Sequence, residues 1–191
     1  MFSSKDADCQ CSLATLKRRE FLRFGAGAAA TLMASPVFSK ISTRQERSLS
    51  FYHPHTSDTT STLYWAEGEY LERGLQEIHT ILRDHRSGEI YTMDSRLLDL
   101  LYVLRSQVDS RETYQIISGY RSPATNASLR KKSSGVAKRS YHMQGKAIDV
   151  RLPGTDLKKL HTAALALQSG GVGYYPSSDF IHVDVGPVRD W

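Results

Sequence analysis

Ser140-Tyr141-His142-Met143-Gln144-Gly145-Lys146-Ala147-Ile148-Asp149-Val150-Arg151-Leu152 is the stretch whose reading decides the fold. From Ala147 onward polar and apolar side chains alternate, the pattern of a strand with one buried face. His142 stands at the mouth of that strand and Asp149 lies inside it. Gly145 permits the tight approach that folds the loop back onto the strand. Strands are depleted in Asp, and a buried carboxylate needs a partner, so Asp149 calls for an explanation. Phe180-Ile181-His182-Val183-Asp184-Val185 supplies one. It reads as a second strand, and pairing of the two can bring His182 beside Asp149. Two histidines and an aspartate from paired strands make a facial set with an open side. Catalytic zinc has this requirement: three protein ligands and one position left for water. A lone histidine is more often an ordinary core or surface residue, so the set of three carries the reading.

The elements on either side are legible from their periods. Leu49 to Tyr52 and Thr62 to Trp65 read as a hairpin joined by a Ser/Thr/Asp-rich turn. Leu71, Leu75, Ile78 and Leu82 fall at helical spacing, with Gly74 a blemish in that helix. Asp94 or Ser95 caps a second helix carrying Leu97, Leu101, Leu104 and Val108. Tyr114 to Tyr120 reads as a strand ending in a turn, and Ser122-Pro123 as a helix start. Lys131 to Arg139 is a basic loop. Asp156 to Gln168 is helical, Gly170-Gly171 turns it, and Val172–Tyr175 and Phe180–Val185 are closing strands. Helices first, then strands with interspersed helices, predict an α+β domain with a small, largely antiparallel sheet and flanking helices.

The N-terminus reads as an address. Lys17-Arg18-Arg19-Glu20-Phe21-Leu22-Arg23 is followed by a weakly apolar Ala/Gly run from Phe24 to Ala34, then by Val37-Phe38-Ser39. A basic region, an apolar region and a small-residue exit make a secretory signal. Paired arginines with mild hydrophobicity resemble the twin-arginine (Tat) export signal. The predicted division is a signal peptide over residues 1–39 and one domain over 40–191, delivered to the periplasm. An uncleaved signal serving as an anchor is a variant of the same reading. Both cysteines, Cys9 and Cys11, precede the arginines, which excludes cysteine ligation in the domain.

Of the 191 residues 40% are hydrophobic and 24% charged, a globular composition. No run of about 18 apolar residues exists, so the mature domain carries no membrane span. The formal charge of +5 is compatible with solubility alone, with anionic lipid or with an acidic polymer as partner, solubility being the simplest reading. No aromatic-interleaved basic patch points to nucleic acid.

The motif Ser140-x-His142-x-x-Gly145-x-Ala147-x-Asp149, with the late strand histidine His182, resembles the LAS zinc metallopeptidases. That family includes the D-Ala-D-Ala carboxypeptidases and the VanX and VanY dipeptidases, and it shares its fold with hedgehog domains. Ile117-Ser118-Gly119-Tyr120-Arg121-Ser122, Gly135-Val136-Ala137-Lys138, Gly170-Gly171-Val172-Gly173-Tyr174-Tyr175-Pro176 and Gly186-Pro187 to Trp191 extend the likeness to a murein endopeptidase subgroup. The resemblance implies the hedgehog/D-Ala-D-Ala-peptidase fold and one zinc ion per chain on His142, Asp149 and His182. It implies action on peptidoglycan stem peptides, including bonds between two diaminopimelate residues; the chain is expected to act as a monomer. Arg121 resembles the family arginine that holds a substrate carboxylate or the developing oxyanion, and Ser140 and Tyr120 fall beside it as substrate-binding residues.

The general base is where the motif departs. Asp179 stands three before His182, the offset of the family's acid, without the tryptophan that usually accompanies it. Asp184 competes, because residues two apart in a strand share a face and Asp184 therefore points with His182. The strand argument favours Asp184, as base or as support for the histidine. Lys131, Lys132, Lys138 and Arg139 read as a solvated loop, His161 as solvent-facing, and Tyr174 and Tyr175 as part core, part groove wall. His53-Pro54-His55 reads as a turn with incidental histidines rather than as a second metal pair. Two other functions compete: end-trimming by a carboxypeptidase or dipeptidase, and wall binding by a non-catalytic module in which zinc is a staple.

Overall fold

The structure, a computed structural model, describes residues 46–133 and 135–191. The export signal expected over residues 1–39 lies outside the described residues. Among those described, no helix is long and apolar enough to cross a membrane.

β1 (Arg47–His53) and β2 (Asp58–Ala66) form the predicted hairpin, followed by the short β3 (Glu69–Tyr70). β2 begins earlier than its apolar residues suggest. Thr59, Thr60 and Ser61 pair with Tyr52, Phe51 and Ser50, so the expected turn is largely strand, as β-branched threonines favour. α1 (Glu72–Ile81) packs on β2, and α2 (Ser95–Gln107) starts from an Asp94 cap that accepts the Arg96 amide. β4 (Tyr114–Ser118) leads to α3 (Pro123–Lys132), capped by Ser122. A short 3-10 turn (Tyr141–Gln144) precedes β5 (Ala147–Arg151). α4 (Leu157–Ala166), β6 (Gly171–Tyr175), a second 3-10 turn (Pro176–Ser178), β7 (Phe180–Asp184) and β8 (Arg189–Asp190) complete the domain.

The α+β expectation stands, but the sheet is neither small nor uniformly antiparallel. It has eight strands in the order β3-β2-β1-β4-β5-β7-β6-β8. β1 runs parallel to β4 and β6 parallel to β8, while the other neighbours are antiparallel. The β1–β4 connection is parallel because α1 and α2 intervene and carry the chain back across the sheet, as a parallel crossover requires.

Register gives this sheet two chemically distinct faces. Phe51, Tyr114, Ile116, Val150, Ile148, Ile181, Val183 and Val172 are buried on one face. They join Leu97, Leu101 and Leu104 of α2 and Leu160 and Ala164 of α4 in one apolar core. Burying a side chain of this size contributes about 1.5–3 kcal/mol, so this face anchors the sheet. The opposite face is polar where β5, β7 and β6 adjoin. Asp149 pairs with His182, His182 with Gly173, and Ala147 with Asp184. A register shift between Ile116 and Ser118 places Ser118 opposite Asp149, so the irregularity re-aims a hydroxyl onto the polar face.

Candidate metal centre

Three predicted ligands meet on the polar face. His142 Nε2 lies 3.2 Å from His182 Nδ1, His182 Nδ1 lies 2.8 Å from Asp149 Oδ1, and His142 Nε2 lies 3.3 Å from Asp149 Oδ1. A tetrahedral ion with bonds of about 2.0–2.1 Å sets its ligand atoms about 3.3 Å apart. His142, Asp149 and His182 are all buried and form, among the described residues, the single group of three or more His, Cys, Asp or Glu side chains arranged for a metal.

The hydrogen bonds around the group decide what its atoms are. His142 Nδ1 is 2.7 Å from the Gly119 carbonyl, which only accepts, so Nδ1 carries the proton and Nε2 presents a lone pair. His182 Nε2 is 3.0 Å from Asp184 Oδ2, so it donates there, and in the neutral ring Nδ1 presents a lone pair. Two nitrogen lone pairs and a carboxylate oxygen thus face one point. Such a set is mutually repulsive until a cation or a proton sits among it, and its donors are those zinc prefers.

Local structure holds each ligand in place. The Ser140 hydroxyl accepts the His142 amide and starts the 3-10 turn on which His142 sits. Gly145 ends that turn at φ 65°, and a Cβ there would meet the Thr92 carbonyl oxygen at 2.3 Å. Both conditions demand glycine. Arg121 donates through Nη2 to Asp149 Oδ2 and through Nε to Ser118 Oγ at 2.7 Å. Asp149 Oδ2 is thus engaged and Oδ1 is left for the metal position.

Electrostatics follow from burial and partners. Burial pushes the His142 pKa down. Burial alone would raise Asp149, but His142 and His182 outweigh it and hold the carboxylate below its usual range. His182 moves up: burial opposes its charge, and the hydrogen bonds and charges of Asp149 and Asp184 prevail.

Asp184 sits on the far side of His182 from the three donors. It is fully buried, and its Oδ1 accepts from the Gly186 amide (2.8 Å), the Gly171 amide (3.1 Å) and Arg189 Nη1 (3.2 Å). Oδ2 accepts from His182 and from Arg189 Nη2 at 2.6 Å. Every lone pair is engaged, so its position is that of a support for His182. Burial opposes ionisation, yet these bonds keep its pKa low. Asp179 takes the left-handed conformation at φ 51° after the Pro176–Ser178 turn, and its exposed carboxylate faces Arg151 Nη1 at 3.5 Å. Asp184 thus lies beside His182 on the polar face, whereas Asp179 is turned to Arg151.

A cleft of about 630 Å³ opens over the donors. His142, Asp149 and His182 lie at its base with Arg121 and Ser140. Arg139, Pro187, Arg189 and Trp191 form exposed parts of its rim. Tyr120 is turned elsewhere: its ring stacks on Tyr91 at 4.6 Å and its hydroxyl donates to Glu89, outside the cleft lining. His161 is half-buried against the Tyr174 ring at 4.7 Å rather than solvent-facing, because α4 packs on β6. Lys131, Lys132 and Lys138 are exposed and line no part of the cleft, whereas Arg139 does. Sequence reasoning assigned no role to Arg189, Trp191 or Tyr141. The spacing Arg189-x-Trp191 was the available signal, since it repeats the two-residue step of His182 and Asp184.

Comparison with known proteins agrees with this geometry. The profile of the family described as peptidoglycan L,D-endopeptidase MepK matches residues 41–191. Peptidoglycan L,D-endopeptidase MepK of Escherichia coli K12 is 39% identical over 175 residues, covering 91% of this chain and 96% of that protein. The probable peptidoglycan L,D-endopeptidase MepK of Haemophilus influenzae is 38% identical over 176 residues, 91% of this chain and 95% of that one. No solved structure matches significantly. The chain belongs to the peptidoglycan L,D-endopeptidase MepK family.

Proposed function

We propose that residues 40–191 are a zinc-dependent endopeptidase domain that hydrolyses peptide crosslinks of peptidoglycan, including those between two diaminopimelate residues. Residues 1–39 are read as the twin-arginine signal that delivers it to the periplasm. The observation that carries the peptidase reading is the convergence of two nitrogen lone pairs and a carboxylate oxygen at the base of a cleft, each ring locked by an acceptor behind it. Family membership supplies the substrate class.

His142, Asp149 and His182 are the residues that would hold zinc. When bound there, zinc supplies a Lewis acid for the scissile carbonyl and lowers the pKa of water beside it. The chain's own groups supply the rest. Asp184 takes the His182 Nε2 proton and fixes which nitrogen faces the cleft. Arg121 neutralises Asp149 and holds one of its oxygens back. Its Nε and Nη2 are engaged in this way, and Arg121 still lines the cleft, where it suits a substrate carboxylate or the developing oxyanion. Arg139, exposed on the rim, suits a substrate carboxylate.

An exposed rim favours internal crosslinks over trimmed ends, because an end-trimming site closes behind the terminal residue. Muropeptide chromatography of purified sacculi, with and without protein and chelator, tests the reading. Crosslinked dimers should become monomers, and the chelator should stop the conversion. Release of single terminal residues from monomers would instead make this a carboxypeptidase. Binding to sacculi with an unchanged muropeptide profile would make it a wall-binding module. Replacing Arg18 and Arg19 by Lys should strand precursor in the cytoplasm on fractionation. Normal delivery of that double variant would remove the twin-arginine assignment.

A further inference from the structure

The strands around the metal position also build a hydrogen-bond donor that the ligand motif does not include. β6 places Gly173 opposite His182 and Tyr175 opposite Phe180, so both face the cleft side of the sheet. The chain beyond β8 continues the ladder: the Trp191 amide donates to the Val172 carbonyl (3.3 Å), and the Tyr174 amide donates to the Trp191 carbonyl (3.0 Å). The indole lies flat over Gly173, where an added Cβ would come within 2.7–2.9 Å of three of its ring atoms. Its centroid is 5.2 Å from that of the His182 ring. The Trp191 Nε1–H then donates to the Tyr175 hydroxyl at 2.8 Å. The Tyr175 ring is held from its other side by stacking on Phe180, 4.5 Å between centroids and 15° between planes. Phenol, indole and metal donors line the same cleft.

A phenol that accepts an indole N–H through its oxygen keeps its own proton to give. Among the described residues no acceptor takes that proton. Arg121 spends Nε on Ser118 and Nη2 on Asp149, and Arg189 on the rim gives both terminal nitrogens to Asp184. Tyr175 is thus a pinned donor, free to bond outward and aimed by two aromatic neighbours. A preorganised donor of this kind stabilises charge that develops on an oxygen during attack on a carbonyl.

We propose that Tyr175 is a catalytic residue, its hydroxyl donating a hydrogen bond to the oxygen of the scissile carbonyl as that carbon becomes tetrahedral, with Trp191 as the positioning residue that aims it. The assignment rests on the peptidase reading above. Tyr175→Phe keeps the stack on Phe180 and removes only the hydroxyl. On a defined crosslinked dimer its kcat should fall about 100-fold, as for loss of one oxyanion donor, with KM within about threefold. Zinc content should equal that of wild type. Calorimetry with a phosphinate analogue of the scissile bond should show a comparable loss of affinity, while binding of the intact dimer to metal-free protein should be unchanged. Trp191→Phe, which keeps a ring but loses the indole donor, should cost about fivefold in kcat, the worth of one aiming hydrogen bond. Wild-type protein that cleaves no crosslink would defeat the peptidase reading itself. Wild-type cleavage matched within about threefold by Tyr175→Phe, or a loss expressed in KM alone, would overturn the role of Tyr175 and leave that reading standing.

Discussion

His182 and His53 project from opposite faces of one sheet, and each gathers further histidine rings at similar spacing and with different fates. His142 and His182 have ring centroids 5.0 Å apart and planes at 60°. His53, His55 and His85 have centroids 5.7, 5.2 and 4.4 Å apart, the closest pair stacked at 14°. By ring distance alone the second group is the richer one. The first group has an acceptor behind each ring, Gly119 or Asp184, and a carboxylate in front of both. In the second, His53 spends Nδ1 on the His55 amide at 3.3 Å, and its buried Nε2 has no partner. His53 follows Leu49 and Phe51 on the core face of β1, so strand alternation rather than ligation explains its burial. Ring proximity does not make a metal site; acceptors that fix the tautomer and aim the free lone pair do.

The sharpest way to break this comparison is to count metal. His142→Ala should leave the protein without zinc by elemental analysis and without measurable hydrolysis of sacculi. His55→Ala should keep one zinc per chain and its activity within about twofold, as expected for a surface change away from the chemistry. A fully active, zinc-free His142→Ala protein, or a His55→Ala protein that loses zinc, would reverse the ranking of the two groups.

The acceptor behind the ring is the next target. Asp184→Asn keeps the shape but weakens the hold on His182 Nε2 and on Arg189. Loss of such a carboxylate behind a ligand typically lowers metal affinity or activity 10–100-fold. Removing one member of a buried ion pair costs about 3–5 kcal/mol, and the partial exposure of Arg189 reduces that to about 1–3 kcal/mol here. Chelator titration and thermal unfolding measure the two effects separately. Wild-type zinc affinity in Asp184→Asn would mean that the ring is held by its strand alone.

Much of this centre was legible beforehand because it follows a strict period. The alternation of Ala147 to Arg151 and of Phe180 to Asp184 fixes which side chains share a face, and a single pairing of those strands sets Asp149 beside His182. The sheet as a whole was not legible. The parallel pairing of β1 with β4 depends on α1 and α2 carrying the chain across, and no residue pattern announces it. Gly74 shows the same limit. Within the sequence it weakens a helix, yet α1 lies so close to β2 that a Cβ there would meet the Leu63 carbonyl oxygen at 2.1 Å. Tyr120 went astray for a related reason. Its neighbour Arg121 reaches the cleft, but Tyr120 is drawn away by Tyr91 and Glu89, partners far off in sequence.

The second histidine group should still announce itself through stability. Burial pushes His85 down to about 4, helped by Arg86, His55 and His53 and opposed by Asp84. Burial also lowers His53, with His55 and Arg83 adding to it and Asp58 opposing. The unfolded chain therefore binds more protons than the folded one between the unfolded value near 6.5 and these lowered values. Stability should fall as pH drops from about 6.5 toward 4, and the slope due to His85 should end near its folded pKa. His85→Gln, compared with wild type by thermal unfolding across that range, should flatten the fall by a few degrees. That corresponds to about 1 kcal/mol once partial exposure is allowed for. Parallel curves for the two proteins would show that His85 contributes nothing to the acid limb.

The smallest expected effect falls on Asp179, and it applies the lesson of the histidines to the two aspartates. Asp179 has the sequence offset of a general base, but its carboxylate is exposed and turned to Arg151 by a left-handed backbone. Reaching the donors would require it to leave that partner and swing across the strand to the face that Asp184 shares with His182. An exposed pair of this kind is worth roughly 0–1 kcal/mol, so the pairing alone is a weak restraint and geometry is the stronger one. Asp179→Asn should therefore keep zinc and stay within about threefold of wild-type initial rate on a crosslinked dimer, since deleting a true base costs about 10²–10⁴. A collapse on that larger scale, with zinc retained, would mean that the Pro176–Asp179 turn reorganises when substrate binds. The offset would then have been the better guide, and orientation in the resting structure would identify ligands but not the base.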